Sequence, residues 1–141
     1  MSASVHRRPV PAFRPFHAVL LGGAVTLFLG ALLSDIAYAR TFEIQWNNFA
    51  SWLIAGGLVM SGAALVCAAL GLLPSYRSRQ TILHAVVLLA AWILGFCNAL
   101  MHARDAWASM PGGLVLSAIV LVLVCVATWL GCWNTHTGDL R

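Results

Sequence analysis

The sequence predicts an all-α integral membrane protein, a four-helix bundle assembled from two similar helical hairpins in tandem. Composition is the first reason: of 141 residues, 61% are hydrophobic and 9% charged, and the mean hydropathy is +0.88, far from the soluble globular range. Length is the second. A hydrocarbon core of about 30 Å takes roughly 20 helical residues to cross, because backbone polar groups in lipid must be satisfied within the segment. Four apolar stretches meet that requirement, at approximately 17–38, 49–73, 82–101 and 110–133. The third reason is an internal resemblance between the first and second halves of the chain.

The transmembrane domain is expected at 15–133, with a basic tail at 1–14 before it and a short tail at 134–141 after it. The first span opens on His17 and closes on Asp35. Ala37-Tyr38-Ala39 looks like a small-residue cleavage site behind Arg7-Arg8, but the apolar run exceeds the 7–15-residue core of a secretory signal, so the span is expected to remain. In the second span Gly57, Ser61, Ala64, Ala68 and Gly71 recur at spacings of four and three. That is a smooth ridge, the usual close-packing face of a lipid-embedded helix. The third span carries His84, Asn98 and His102, with Arg104 just after it, and the fourth runs on to Trp133.

All eight basic residues are arginines and four acids oppose them. With the amino terminus inside, the cytoplasmic segments hold Arg7, Arg8, Arg14, Arg77, Arg79 and Arg141, and the outer loops hold Arg40 and Arg104. The bias favours both termini on the cytoplasmic face. Trp46, Trp52 and Trp107 then fall near the outer boundary and Tyr76, Trp129 and Trp133 near the inner one, where aromatic belts form. Trp92 sits mid-span.

Laying the third span on the first aligns His17-Ala18-Val19-Leu20-Leu21 with His84-Ala85-Val86-Val87-Leu88, and Ala24, Leu27 and Leu33 with Ala91, Leu94 and Leu100. The second and fourth spans share Gly56-Gly57-Leu58-Val59-Met60-Ser61 and Gly112-Gly113-Leu114-Val115-Leu116-Ser117. Two alignments in one order point to hairpins related by an axis along the membrane normal. His17 and Asp35, like His84 and His102, lie about five helical turns apart and so return to one face after roughly 27 Å. The expectation is a polar patch at each end of a seam between the first and third spans. His17 faces His84 at the inner end; Asp35, Asn98, His102 and Arg104 gather at the outer end.

Several function classes drop out. The arginines form no continuous stripe, so a nucleic-acid partner is not expected. Cys67, Cys97, Cys125 and Cys132 lie in or at the ends of apolar runs and read as reduced packing residues. There is no phosphate-binding glycine loop, no paired-cysteine metal motif and no nucleophile beside a base, so no catalytic residue is assigned and the protein is not expected to be an enzyme. His6, His136, Glu43 and Asp105 read as solvated.

Phe16-His17-Ala18-Val19 opening the first span, Asp35 ending it, a Trp-led and glycine-containing second span from Trp52 to Gly71, His84 opening the third and Arg104 after it resemble the bacterial membrane family catalogued as domain of unknown function 2231. The resemblance runs from Pro15 onward and implies a four-span bacterial membrane module; the expected location is the bacterial inner membrane. Three departures stand out: a His-Pro opening is His17-Ala18 here, a proline a few residues later is absent, and an Asp after the second span is replaced by Leu73-Pro74.

The expected function is a non-enzymatic membrane module that packs through its small-residue ridge against a membrane partner or a second copy. The alternative is a b-type electron carrier serving a redox partner, with His17 and His84 as axial haem ligands clamping a porphyrin between parallel helices. A proton or small-solute pathway to Asp35 is a third reading. A carboxylate at mid-bilayer costs about 2.5–3.5 kcal/mol on insertion scales, so Asp35 should sit near the boundary, pair or hold a proton.

Overall fold

A computed structural model describes residues 13–70, 72, 78–104 and 106–138. The expectations resting on Arg7, Arg8, Tyr76, Arg77, Asp105 and Arg141 lie outside the described residues. So do those resting on His6, Gly71, Leu73-Pro74 and most of the two tails, and on the side chains of Arg14, Trp107, Trp133 and His136.

Four long helices and one short one make up the described chain: α1 (Phe13–Thr41), α2 (Ile44–Leu70), α3 (Arg79–His102), α4 (Ala106–Ser109) and α5 (Gly112–Gly138). There is no strand among the described residues. The long helices contain four segments apolar and long enough to cross a membrane, Pro15–Thr41, Ile44–Leu70, Arg79–His102 and Gly112–Cys132. α3 starts at a sequence-encoded stop: Ser78 caps it, its side chain accepting from the Thr81 N–H at 3.1 Å, which satisfies one of the free first-turn donors. α2 starts earlier than hydropathy indicates, at Ile44. Gln45, Asn47 and Asn48 look like a loop in a hydropathy profile, yet they form the first turn of the helix and place polar groups at its end. α4 is a short turn that hydropathy alone does not reveal.

The bundle is small inside and large outside. Its fully enclosed positions include Ala24, Ala31, Ala50, Ala64, Ala91 and Ala127, whereas Val19, Trp52, Val59, Val66, Val122 and Trp129 stand exposed. An apolar girdle of that extent would drive association in water and is at rest in hydrocarbon. Small interior residues let the backbones approach closely, which is how helices associate in lipid. Gly57 shows the need: a Cβ there would lie 2.9 Å from the Phe28 ring.

α1 packs on α2 and α5, and α3 packs on the same two helices. α1 and α3 therefore lie across the diagonal of the bundle and share no extended face. This corrects the expected seam between them: only the axial side chains of α1 and α3 meet, in the middle. The meeting residues are equivalent in the two hairpins. His17 with His84 and Asp35 with His102 are both separated by 67 positions, so each pair straddles the approximate two-fold axis. Between them the same heptad-like stripe of α1 and α3 brings in Leu21 with Leu88, Ala24 with Ala91, Phe28 with Gly95 and Ala31 with Asn98. These positions are buried.

The second-span alignment needs a shift. In the first hairpin Gly30 abuts Leu53 and Gly56 abuts Leu27; in the second, Gly112 abuts Met101 and Gly113 abuts His102. Gly113 thus sits at the height of its neighbour His102, and His102 corresponds to Asp35. The α2 residue level with Asp35 lies near Ala50, about one heptad before Gly57. A heptad slide keeps the buried face and changes the height, so the shared Gly-Gly-Leu-Val motif matches face without matching depth. Ser61 accordingly bonds only to its own helix, at the Gly57 and Leu58 carbonyls, while Ser117 enters the site.

Candidate functional site

The Asp35 end of the axis holds a closed polar network. Asp35, Asn98 and Ser117 are almost wholly enclosed, and His102 is 4% exposed. Helical periodicity puts them there: Asn98 and His102 are one turn apart on α3, Asp35 lies on the axial stripe of α1, and Ser117 is on the buried face of α5 one turn after Gly113. Gly113 makes the space, since a Cβ on it would approach the His102 ring to 2.7 Å.

The hydrogen positions follow from what each partner can do. The Asn98 amide donates to the Ser117 hydroxyl at 2.8 Å, and Ser117 in turn donates to Asp35 Oδ2 at 2.5 Å. His102 Nδ1 lies 3.0 Å from the Asn98 backbone carbonyl. A carbonyl oxygen only accepts, so Nδ1 carries a hydrogen. His102 Nε2 faces Asp35 Oδ1 at 2.8 Å, and a hydrogen must lie between these two atoms as well. It belongs to an imidazolium facing a carboxylate or to a carboxyl facing a neutral ring. In both forms the pair is neutral overall and holds one proton, which avoids the cost of an unpaired buried charge.

The serine does not make this a hydrolase site. Asp35 stands between Ser117 and His102, so the imidazole does not reach the hydroxyl it would have to activate. Asn98 Oδ1 is enclosed with no partner.

At the other end, the His84 Nδ1 hydrogen goes to the Ala127 carbonyl at 2.8 Å, which leaves Nε2 of the neutral ring as an acceptor. His17 Nε2, 3.1 Å away, then donates to it. The rings meet edge to face at 77°. His17 Nδ1 is left enclosed without a partner.

This arrangement does not fit the haem of the alternative reading, with His17 and His84 as its axial ligands. An iron bound from both sides holds its two nitrogens about 4 Å apart with a porphyrin between them. Here the nitrogens are 3.1 Å apart and bonded to each other. No group of three or more His, Cys, Asp or Glu side chains suited to a metal occurs among the described residues.

Between the two polar ends the axis is apolar, filled by Leu21, Leu88, Ala24, Ala91 and Phe28. The ridge of Gly57, Ser61, Ala64 and Ala68, expected to serve a partner, is buried inside the bundle. Its work is internal packing. Trp92 also has an internal role: its indole N–H donates to the Leu58 carbonyl at 3.2 Å.

Arg104 does not join the buried network. With Ile44, Gln45, Asn47, Asn48, Ser51 and His102 it lines an open cavity of about 420 Å³ beside it. The sequence reading missed Ser117, Asn47 and Ser109 as site residues. Ser109 donates to Asn47 Oδ1 at 3.1 Å and ties the α4 turn to α2. For Ser117 a usable signal was its place one turn after Gly113 on an otherwise apolar helix.

A family model described as a predicted membrane protein, domain of unknown function 2231 (DUF2231), matches residues 13–138. No curated protein and no solved structure matches the chain.

Proposed function

The chain belongs to this family of predicted membrane proteins, and from that premise we propose that it is a non-enzymatic module that binds and releases a proton at one face of the membrane. The observation that carries the reading is the 2.8 Å contact between Asp35 and His102. A carboxyl–imidazole pair on the bundle axis that needs one proton to complete its hydrogen bonds is a proton store. Ionisable groups inside spans are costly, and where they persist they commonly serve proton or ion handling. The cavity at His102 supplies the way out to water. On the arginine bias this face is the one away from the cytoplasm, in a bacterial inner membrane.

The module stores the proton and does not conduct it. Leu21, Leu88, Ala24, Ala91 and Phe28 fill the axis between the two polar ends and offer no relay group. The proton thus changes the charge and hydrogen bonding of one bundle end only. A membrane or redox partner could read that state at the Asp35 end, but the small-residue ridge plays no part in such docking because it is buried.

The test is a proton-binding titration of the purified protein in nanodiscs, over the pH range in which helicity is retained. Wild type should bind one proton more than Asp35→Asn across that range, and vesicles containing wild type should show no proton leak above empty vesicles. Identical titration curves, or a leak abolished by Asp35→Asn, would overturn the reading.

A further inference from the structure

We infer that the His102 ring is a proton-controlled lever, seated on Asp35 while the shared proton is present and turned into the adjoining cavity when that proton leaves. The inference rests on the proton reading and adds what the proton does to the fold.

Both ring nitrogens of His102 face oxygens. Nδ1 lies 3.0 Å from the Asn98 backbone carbonyl and Nε2 lies 2.8 Å from Asp35 Oδ1. With the shared proton in place each contact contains a hydrogen, whichever partner owns it. Its departure to water in the cavity leaves a carboxylate and a neutral imidazole, and a neutral imidazole has one hydrogen for the two acceptors. If that hydrogen stays on Nδ1, the Nε2 lone pair points at an ionised oxygen. If it moves to Nε2, the Nδ1 lone pair points at a carbonyl. One contact is repulsive in either tautomer, and with the ring 4% exposed little solvent screens it.

The surroundings decide which group yields. Asp35 is 0% exposed and Ser117 holds its other oxygen, so the carboxylate has no open side. Toward α5 the ring is closed in, since a Cβ built on Gly113 would lie 2.7 Å from its Cε1. Toward α2 it is open, because His102 forms part of the wall of the cavity of about 420 Å³. Exposed Asn48 and half-buried Ser51 stand on the same wall and offer hydrogen-bonding groups to a ring that turns their way. Proton loss thereby becomes a change in the shape of the cavity wall.

Among the described residues, Asp35 on α1 is the titratable group that the ring contacts. α5 supplies Ser117 and Gly113, α2 supplies Asn47 and Ser51, and the described side chains of α4 are Ala108 and Ser109, none of which titrates. Arg104 lines the cavity, is exposed and keeps its charge throughout. Glu43, in the α1–α2 turn, is exposed and does not line the cavity.

The experiment uses the full chain in nanodiscs, with ¹³C,¹⁵N-labelled histidine and glycine, across the pH range in which helicity is retained. The cross-peak between Gly113 Hα and His102 Hε1 reports the seated ring. Wild type should show it at the acid end, where the site holds its proton, and lose it as the proton is released. In Asp35→Asn the side-chain amide donates to Nε2, so a neutral ring satisfies both contacts and the cross-peak should persist at every pH. Proton release with the cross-peak unchanged, or the same loss in Asp35→Asn, would overturn the lever and leave the proton reading standing. Identical proton-binding titrations of wild type and Asp35→Asn would overturn both.

Discussion

Asp35 and His102 occupy the same position in the two hairpins, 67 residues apart, and their side chains meet at 2.8 Å on the axis that relates those hairpins. The other polar pair obeys the same relation, with histidine at both positions. One fold symmetry thus produces two contacts of different chemistry. A histidine pair makes its mutual hydrogen bond with both rings neutral, whereas a carboxyl–imidazole pair needs one more proton than a carboxylate and a neutral ring supply.

Replacing Asp35 separates shape from charge. In Asp35→Asn the amide can donate to His102 Nε2 and accept from Ser117, so the network closes without the shared proton. That variant should unfold in detergent close to wild type. Asp35→Leu takes away the acceptor of the Ser117 hydroxyl hydrogen and the partner of His102 Nε2 inside the bundle and should cost about 3–5 kcal/mol, the range for breaking a buried pair by removing one side. Denaturant-induced loss of helical circular dichroism checks both. Equal stability for Asn and Leu would mean that the network does not hold the bundle together.

Two glycines set the positions of axial side chains. A Cβ at Gly57 lies 2.9 Å from Phe28, and one at Gly113 lies 2.7 Å from His102. Gly57→Ala should cost about 1–3 kcal/mol through overpacking and recover much of that loss when combined with Phe28→Leu. Gly113→Ala should displace the His102 ring and weaken its contact with Asp35, which ¹⁵N chemical shifts of His102 will report. An additive Gly57–Phe28 double-mutant cycle would contradict the wedged ring.

The histidine pair makes a prediction about colour. Protein expressed with ample haem should show no Soret band, because His17 and His84 satisfy each other at 3.1 Å. A Soret band removed by His17→Ala or His84→Ala would show that the pair opens to take iron.

Trp92 tests the packing of α3 on α2. Trp92→Phe keeps the ring and removes the indole donor to the Leu58 carbonyl, which should cost about 0.5–1.5 kcal/mol. A variant as stable as wild type would assign this tryptophan to lipid contact alone.

Much of this was legible in the residues. Hydropathy located four spans, because backbone groups in hydrocarbon leave the helix little choice. The alignment of His84 with His17 carried the axial stripe, since helical periodicity returns equivalent residues to one face and a two-fold axis makes those faces meet. Three things were not legible. The diagonal placement of α1 and α3 depends on how all four helices pack, and no single span encodes it. The match of Gly112-Gly113 to Gly56-Gly57 hid a heptad slide, because that slide preserves the buried face. Ser117 went unassigned because its partners lie on α1 and α3, and an isolated serine in an apolar helix commonly bonds its own backbone, as Ser61 does.

The central claim is that one proton bridges Asp35 and His102 inside the bundle. Proton NMR of ¹⁵N-histidine-labelled protein in nanodiscs tests it most directly. The account predicts a far-downfield proton resonance correlated with His102 Nε2 and abolished by Asp35→Asn. A His102 spectrum that is unchanged by Asp35→Asn, with freely exchanging ring hydrogens, would contradict it.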